Sequence, residues 1–140
     1  MLGGSGTVQA MSDANRQIVT GWIAAQARGD ADAIRTALAD DVVWHVPGRN
    51  LLSRDYHGPD EVLGFLSHVR ELSGGTTRPQ IIDVLSSVDY VVVLVRMHAE
   101  REGRKLDGSF QAWAYRIDGG KIAEFWFLVE DRYEVDAFWS

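Results

Sequence analysis

The chain has 140 residues, the length of one ordinary domain, and a formal net charge of -6. That charge argues against nucleic acid and an anionic membrane as partners, because both are bound through basic surfaces. Cysteine is absent, which excludes disulfide bonds, thiolate metal ligands and a cysteine nucleophile, and which fits a reducing cytoplasm. No segment approaches the roughly 18 apolar residues of a membrane span, so we expect a cytoplasmic protein that crosses no membrane.

The N-terminal part of the chain predicts a lead-in followed by a helix. Residues 1–11 are rich in glycine and small side chains and are expected to be disordered, which leaves one domain over residues 12–140. Ser12 or Asp13 can cap a first helix, and apolar residues at helical spacing continue it to about Arg28. A glycine-aspartate turn then ends this helix and caps the next one.

The remainder of the chain predicts one short strand, one further helix and a four-stranded meander. A short helix over about 31–39 leads into a strand at Val42–Val46, which a proline-glycine pair closes. An irregular loop over 48–58 precedes a third helix over about 59–72. Apolar runs separated by glycine turns then predict four antiparallel strands and a last helix or cap, at about 78–86, 90–100, 106–117, 121–129 and 133–139.

This order of segments resembles one known family. The residues that carry the resemblance are the turn at 28–30 (RGD), the segment at 39–48 (ADDVVWHVPG), the run at 56–58 (YHG) into the third helix, and the meander. They are similar to the SnoaL-like branch of the NTF2-like superfamily, which includes ketosteroid isomerases, limonene epoxide hydrolase, scytalone dehydratase and polyketide cyclases. The resemblance implies an α+β cone, with about three N-terminal helices packed on a curved antiparallel sheet that encloses a pocket. It leaves the chemistry open, because one fold hosts unrelated reactions.

The catalytic residues of the ketosteroid isomerases are not retained. The resemblance places their base aspartate at Val46, their oxyanion-hole tyrosine at Trp22 and their protonated aspartate near Trp113. None of these side chains is acidic, so proton transfer by that machinery is not expected. The acidic residue that SnoaL-like cyclases use falls near Glu130 and Asp131, at the end of the last strand.

The resemblance also implies which side chains line the pocket. Successive side chains of a strand point to opposite faces of a sheet, and the isomerase pattern puts Trp44 and Val46 on the pocket side. Extended to the other elements, this pattern implies a mostly apolar pocket for a small apolar molecule. The predicted ligand-binding residues are Trp22, Trp44, Val46, Phe65, Met97, Gln111, Trp113, Phe125 and Phe127.

Three side chains are candidates for chemistry: His45, Tyr56 and Tyr115. His45 is the candidate acid or base, because imidazole titrates near neutrality and can both donate and accept a proton. The hydrolase pattern turns His45 into the pocket, whereas the isomerase pattern leaves it on the opposite sheet face. Tyr56 and Tyr115 could each hold a substrate oxygen. No zinc-type spacing of histidines occurs, so neither a metal nor another cofactor is expected.

Three functions remain open from the sequence. The first is acid–base catalysis on a small apolar molecule, such as cyclisation, dehydration, isomerisation or hydration. The second is ligand binding without turnover, and the third is a structural homodimer whose own side chains fill the cavity. In each case a homodimer is expected through the convex sheet face, where Trp126 and Leu128 would meet the second subunit.

Overall fold

In the computed structural model, the backbone is described for residues 2–140 and the side chains for residues 6–140. Within this part of the chain, no helix has both the length and the apolar character needed to cross a membrane. The alternation of helices and strands agrees with the predicted α+β fold. The elements, in chain order, are α1 Leu2–Ala27, α2 Ala31–Thr36, β1 Leu38–Val46, β2 Arg54–His57, α3 Gly58–Ser73, β3 Arg78–Ser86, β4 Tyr90–Arg101, β5 Arg104–Asp118, β6 Lys121–Val129 and α4 Arg132–Phe138.

The described strands form one curved sheet in the order β2-β1-β6-β5-β4-β3. The neighbours are antiparallel except β1 and β6, which run parallel. The ladders shift register after Ile81, Met97 and Arg116. Bulges of this kind bend a strand and increase its twist. The sheet therefore curves around the helices, as the predicted cone requires.

Helix α1 begins earlier than the sequence predicts. Residues 2–11, expected to be a disordered lead-in, continue α1 in the structure, and Met1 lies outside the described residues. Ser12 and Asn15 are the first buried side chains among those described from residue 6 onward, and Asn15 Nδ2 donates to the carbonyl of Val88 at 2.7 Å. Asn15 thus ties the helix to the turn between β3 and β4. The side chains of residues 6–11 are exposed, and this part of the helix needs little support, because each added residue of a formed helix gains one hydrogen bond.

The segment expected to be an irregular loop contains a short edge strand. In β2, Tyr56 pairs with Trp44 and Asp55 pairs with His45 across an antiparallel ladder with β1. Tyr56 is the single buried side chain of the described β2 residues. A strand of four residues that buries one side chain shows no alternating apolar pattern, which is why the sequence did not reveal it.

The two faces of the sheet have opposite environments. Trp44 lies beside Phe125, and His45 lies beside Trp126, in the parallel ladder between β1 and β6. The first pair belongs to the concave face, which the helices cover and where the core lies. The second pair belongs to the outer, convex face. Since side chains alternate along a strand, this register decides which residues can contribute to an internal site.

Candidate ligand-binding cavity

A cavity of about 160 Å³ lies between the concave face of the sheet and helices α1, α3 and α4. All nine residues predicted to bind a ligand line it, and so does Tyr115. Their side chains come from β1, β4, β5 and β6 and from two helices, so the alternation inferred for the strands is correct for this set. Their role in binding stays a prediction.

Four packed aromatic rings form the inner wall of the cavity. Trp44 stacks on Phe125, with ring centroids 4.0 Å apart and planes inclined by 17°. Trp22 lies 5.1 Å from Trp44, and Tyr115 meets Trp44 edge-on at 6.0 Å. None of the four is more than 4% exposed. Rings held in such mutual contact form a rigid apolar surface suited to another ring or a flat apolar molecule.

The two indole N–H groups of this wall differ in their partners. Trp22 Nε1 donates to the carbonyl of Ile34 at 3.1 Å. It is therefore committed to holding α2 against α1 and is not available for the oxyanion-hole position that the resemblance assigns to this residue. Trp44 Nε1 is buried without a hydrogen-bond partner in the described structure. A buried donor left unpaired costs about 1–3 kcal/mol.

Strand β5 carries a short chain of polar contacts on the same concave face. Trp113 Nε1 donates to Gln111 Oε1 at 3.0 Å, and Gln111 Nε2 donates to Ser109 Oγ at 3.4 Å. Gln111 is 2% exposed and lines the cavity. Because an indole nitrogen can only donate, its contact fixes which end of the Gln111 amide is oxygen.

Tyr115 is the single ionisable side chain among the cavity-lining residues of the described chain. Burial raises the pKa of Tyr115 far above its ordinary value. Its hydroxyl therefore keeps its proton at neutral pH and acts as a hydrogen-bond donor, not as a base. Among the described residues, no group of three or more histidine, aspartate or glutamate side chains is arranged to hold a metal ion.

His45 lies on the outer face and not in the cavity. Its Nδ1 is 2.9 Å from Asp55 Oδ1, and its Nε2 is 2.6 Å from Glu124 Oε2. Burial lowers the pKa of His45, but the hydrogen bonds to Glu124 and Asp55 and the charges of both carboxylates outweigh it, so the pKa is raised overall. The pocket-facing placement implied by the hydrolase pattern is therefore wrong, because the neighbours of His45 on β1 take the cavity positions.

Tyr56 lies behind the cavity wall. Its hydroxyl donates to the carbonyl of Leu52 at 2.7 Å, and its ring packs 5.0 Å from Phe65. The guanidinium carbon of Arg54 lies over the Tyr56 ring, 4.6 Å from its centroid. Tyr56 thus joins β2 to α3 and to the loop that precedes β2. The structure does not bring it together with Tyr115 around one substrate oxygen.

The acidic residues near the end of β6 also lie away from the cavity. Asp131 caps helix α4, since its side chain accepts from the backbone N–H of Glu134 at 3.1 Å. Glu130 follows β6 and is exposed. Neither residue lines the cavity. Asp131, at the position that resembles the acid of the SnoaL-like cyclases, therefore has a structural role as the cap of α4.

Part of the cavity wall was missed by the sequence analysis. The loop after β1 and helix α4 close one end of the cavity, and helices α1 and α3 with the start of β3 close the other. The spacing of Val135 and Trp139, four residues apart in the C-terminal segment, was the one signal that could have placed that segment against the core. The additional lining residues are Gln26, Asn50, Leu52, Leu66, Val69, Thr77, Pro79, Leu106, Val135 and Trp139.

Comparison with known proteins agrees with this architecture. The family model of the SnoaL-like domain matches residues 19–125 of this chain. An uncharacterized protein of Mycobacterium tuberculosis is 32% identical over 129 residues, which cover 91% of this chain and 98% of that protein. The structure of Bal32a, from a soil-derived mobile gene cassette, is 25% identical with a TM-score of 0.87, covering 93% of this chain and 99% of that one. A Xanthomonas campestris protein of unknown function with a cystatin-like fold is 28% identical with a TM-score of 0.82, covering 90% and 98%. The resemblance seen in the sequence is therefore confirmed, and the chain belongs to the SnoaL-like family.

Proposed function

We propose that this protein binds a small, uncharged, mostly apolar molecule in the concave cavity. The observation that carries the proposal is the composition of the wall: aromatic and aliphatic side chains surround a few neutral polar groups. Binding sites for small molecules commonly have this composition. A cavity of about 160 Å³ is close to the roughly 150 Å³ of an apolar cavity that takes up benzene. The ligand therefore has about one six-membered ring with small substituents.

The absence of charge in the wall favours a neutral ligand. Among the described lining residues there is no carboxylate, imidazole, ammonium or guanidinium group. A charged molecule moved into such a cavity would lose its hydration without gaining a counter-charge, at a cost of several kcal/mol. A neutral ring loses little hydration and gains apolar contact at roughly 25 cal/mol per Å² buried.

Binding without turnover is favoured over acid–base catalysis. His45, the candidate acid or base, lies on the other sheet face between two carboxylates. Tyr115 is inside the cavity, but its raised pKa keeps the hydroxyl protonated, so at neutral pH it neither accepts a proton nor readily gives one up. Proton transfer to or from a ligand would need a group near the reacting atom with a pKa near the working pH, and the described cavity wall contains none.

The proposal is tested with toluene and benzoate, a neutral and a charged probe of similar size. We expect toluene to raise the melting temperature and benzoate to leave it unchanged. Leu66→Trp, which fills the cavity, should abolish the toluene effect, whereas Tyr133→Trp, at a site that is 90% exposed, should preserve it. Equal stabilisation by both probes, or none by toluene, would overturn the proposal.

The outer face of the sheet is proposed to pair two copies of the chain. Trp126, Ala114, Val92 and Leu85 follow one another across the ladders of β6, β5, β4 and β3 on this face. Leu85 is 50% exposed, and Leu128, two positions after Trp126 on the same face, is 49% exposed. A contiguous apolar face of this kind is typical of a protein interface.

Sedimentation velocity tests the pairing over a range of concentrations. We expect a dimer for the unmodified chain and a monomer for Leu128→Arg. Val8→Arg, at a position that is 52% exposed on α1, is the matched control and should remain dimeric. An unmodified chain that sediments as a monomer at high concentration would contradict the proposal.

A further inference from the structure

We propose that the cavity selects molecules with a carbonyl-type oxygen, which accepts hydrogen bonds without donating, over hydrocarbons of the same shape. The inference rests on the proposed function, and it names the class of ligand. It follows from an imbalance between donors and acceptors on the inner wall, where Trp44, Gln111 and Tyr115 carry the polar atoms that are most deeply buried.

The first donor is the indole N–H of Trp44. This residue is 2% exposed and lines the cavity, and its Nε1 has no partner within the described structure. Buried polar groups in folded proteins are nearly always paired, so this unpaired N–H favours a ligand that brings an acceptor to the edge of the indole. An indole nitrogen has no free lone pair. The partner must therefore be an acceptor.

The second donor is the amide of Gln111. Its oxygen is occupied by the indole N–H of Trp113 at 3.0 Å, which leaves the NH₂ group for other partners. One of those two protons has a long contact of 3.4 Å to Ser109 Oγ. The amide thus has an N–H to give, which can pair only with an acceptor, while its oxygen already accepts one bond.

The third donor is the hydroxyl of Tyr115, which lines the cavity and keeps its proton. The other acceptors that line the cavity either already accept a hydrogen bond or lie away from the deep wall. Asn50 Oδ1 accepts from the backbone N–H of Leu52 at 2.8 Å. Gln26 and Thr77 are only half-buried, and they also line the adjoining groove between α1 and α3. On the deep wall, the N–H groups of Trp44 and Gln111 can only donate, while the Tyr115 hydroxyl can donate or accept, so an acceptor on the ligand can pair with all three.

The test compares acetophenone with α-methylstyrene, in which a CH₂ group replaces the carbonyl oxygen at nearly the same shape. We expect acetophenone to bind the unmodified protein about tenfold more tightly, which is the effect of one hydrogen bond to a buried donor. Titration calorimetry gives both affinities. In ¹H–¹⁵N spectra the indole resonance of Trp44 or the side-chain amide resonance of Gln111 should move downfield with acetophenone only.

Two variants assign the preference to its donors. Gln111→Met and Tyr115→Phe keep the shape of the wall and should reduce the preference for acetophenone. Phe127→Leu, in contrast, should lower the affinity for both probes equally. Equal affinity of the unmodified protein for the two probes would overturn the carbonyl inference and leave the proposed function standing. Failure of both probes to bind would overturn the proposed function and the inference with it.

Discussion

The two faces of strand β1 show how strongly one position along a strand can change the environment of a side chain. Trp44 faces the helices and stacks on Phe125 with centroids 4.0 Å apart. His45, the next residue, faces outward, stacks on Trp126 at 5.7 Å and contacts two carboxylates. The concave side is aromatic and uncharged, while the outer side carries a histidine and its counter-ions. A candidate residue can therefore be assigned a function only after its face is known.

The outer cluster explains why a histidine with a raised pKa need not be catalytic. Both ring nitrogens of His45 are within hydrogen-bond distance of a carboxylate oxygen, and a neutral imidazole could donate to only one of them. The doubly protonated, charged ring satisfies both. Arg116 of β5 also reaches Glu124, at 3.4 Å, so the network joins four strands. His45 acts here as a fixed cationic link between β2, β1 and β6.

The largest effect is expected from removing the centre of the concave wall. Trp44→Ala should lower the free energy of unfolding by about 3–5 kcal/mol, because it deletes a large buried side chain and leaves a cavity. Urea denaturation measures the change. Tyr133→Ala, at a position that is 90% exposed, is the control and should stay within about 0.5 kcal/mol. A loss below about 1 kcal/mol for Trp44→Ala would mean that the aromatic wall is not the core of the fold.

A smaller effect is expected from releasing the C-terminal helix that closes the concave side. Arg101 is 9% exposed and donates to the carbonyls of Ser140 at 2.8 Å and Phe138 at 3.4 Å. Arg101→Ala should cost about 1–3 kcal/mol through the lost hydrogen bonds. It should also weaken toluene binding, because Val135 and Trp139 belong to the cavity wall.

Urea denaturation and toluene titration together check the prediction for Arg101. Lys105→Ala changes a basic, exposed residue of the same hairpin and should leave both measurements unchanged. Unaltered toluene binding by a destabilised Arg101→Ala protein would show that the C-terminal helix closes the fold without shaping the cavity.

On the outer face, His45→Gln should cost about 1 kcal/mol or less, because the network is partly exposed. The size of this stability loss depends on pH. The pKa of His45 is raised on folding, so its stabilisation is complete below the unfolded value of about 6.5 and is lost as the pH rises through the folded value.

Urea denaturation at pH 5.5 and pH 9 checks this expectation. The difference between the unmodified protein and His45→Gln should be larger at pH 5.5, and Asp55→Asn should produce part of the same change. A difference that is larger at pH 9 would contradict a charged His45.

No effect of pH is expected on the concave side. Toluene binding should be constant between about pH 6 and pH 9, because Tyr115, the single ionisable lining residue of the described chain, has a pKa raised above that range. Titrations at several pH values measure this. A change of affinity centred above pH 6.5 that disappears in His45→Gln would show that the outer face does act on the cavity.

Most of the pocket residues could be predicted because the resemblance to the isomerases indicated which face of each strand lines the pocket. Met97, Gln111, Trp113, Phe125 and Phe127 follow the two-residue period of the concave face. It was harder to predict which side chains of β1 face the cavity, since the two family patterns disagreed. The strand also has few polar residues that would indicate its solvent-exposed face. The closing segments were harder to predict, because Leu52 lies in a loop without a period, and the spacing of Val135 and Trp139 indicates a buried face without showing which cavity it closes.

The sequence alone determined the positions of most elements, because these follow from local periodicity and turn residues, and its resemblance to a known family indicated the class of the fold and the aromatic character of one sheet face. It also left His45 as the most attractive catalytic candidate. The tertiary structure decided that His45 lies between Asp55 and Glu124, that β1 runs parallel to β6, and that the C-terminal helix closes the cavity. These features depend on contacts between residues far apart in the chain, which no local pattern encodes.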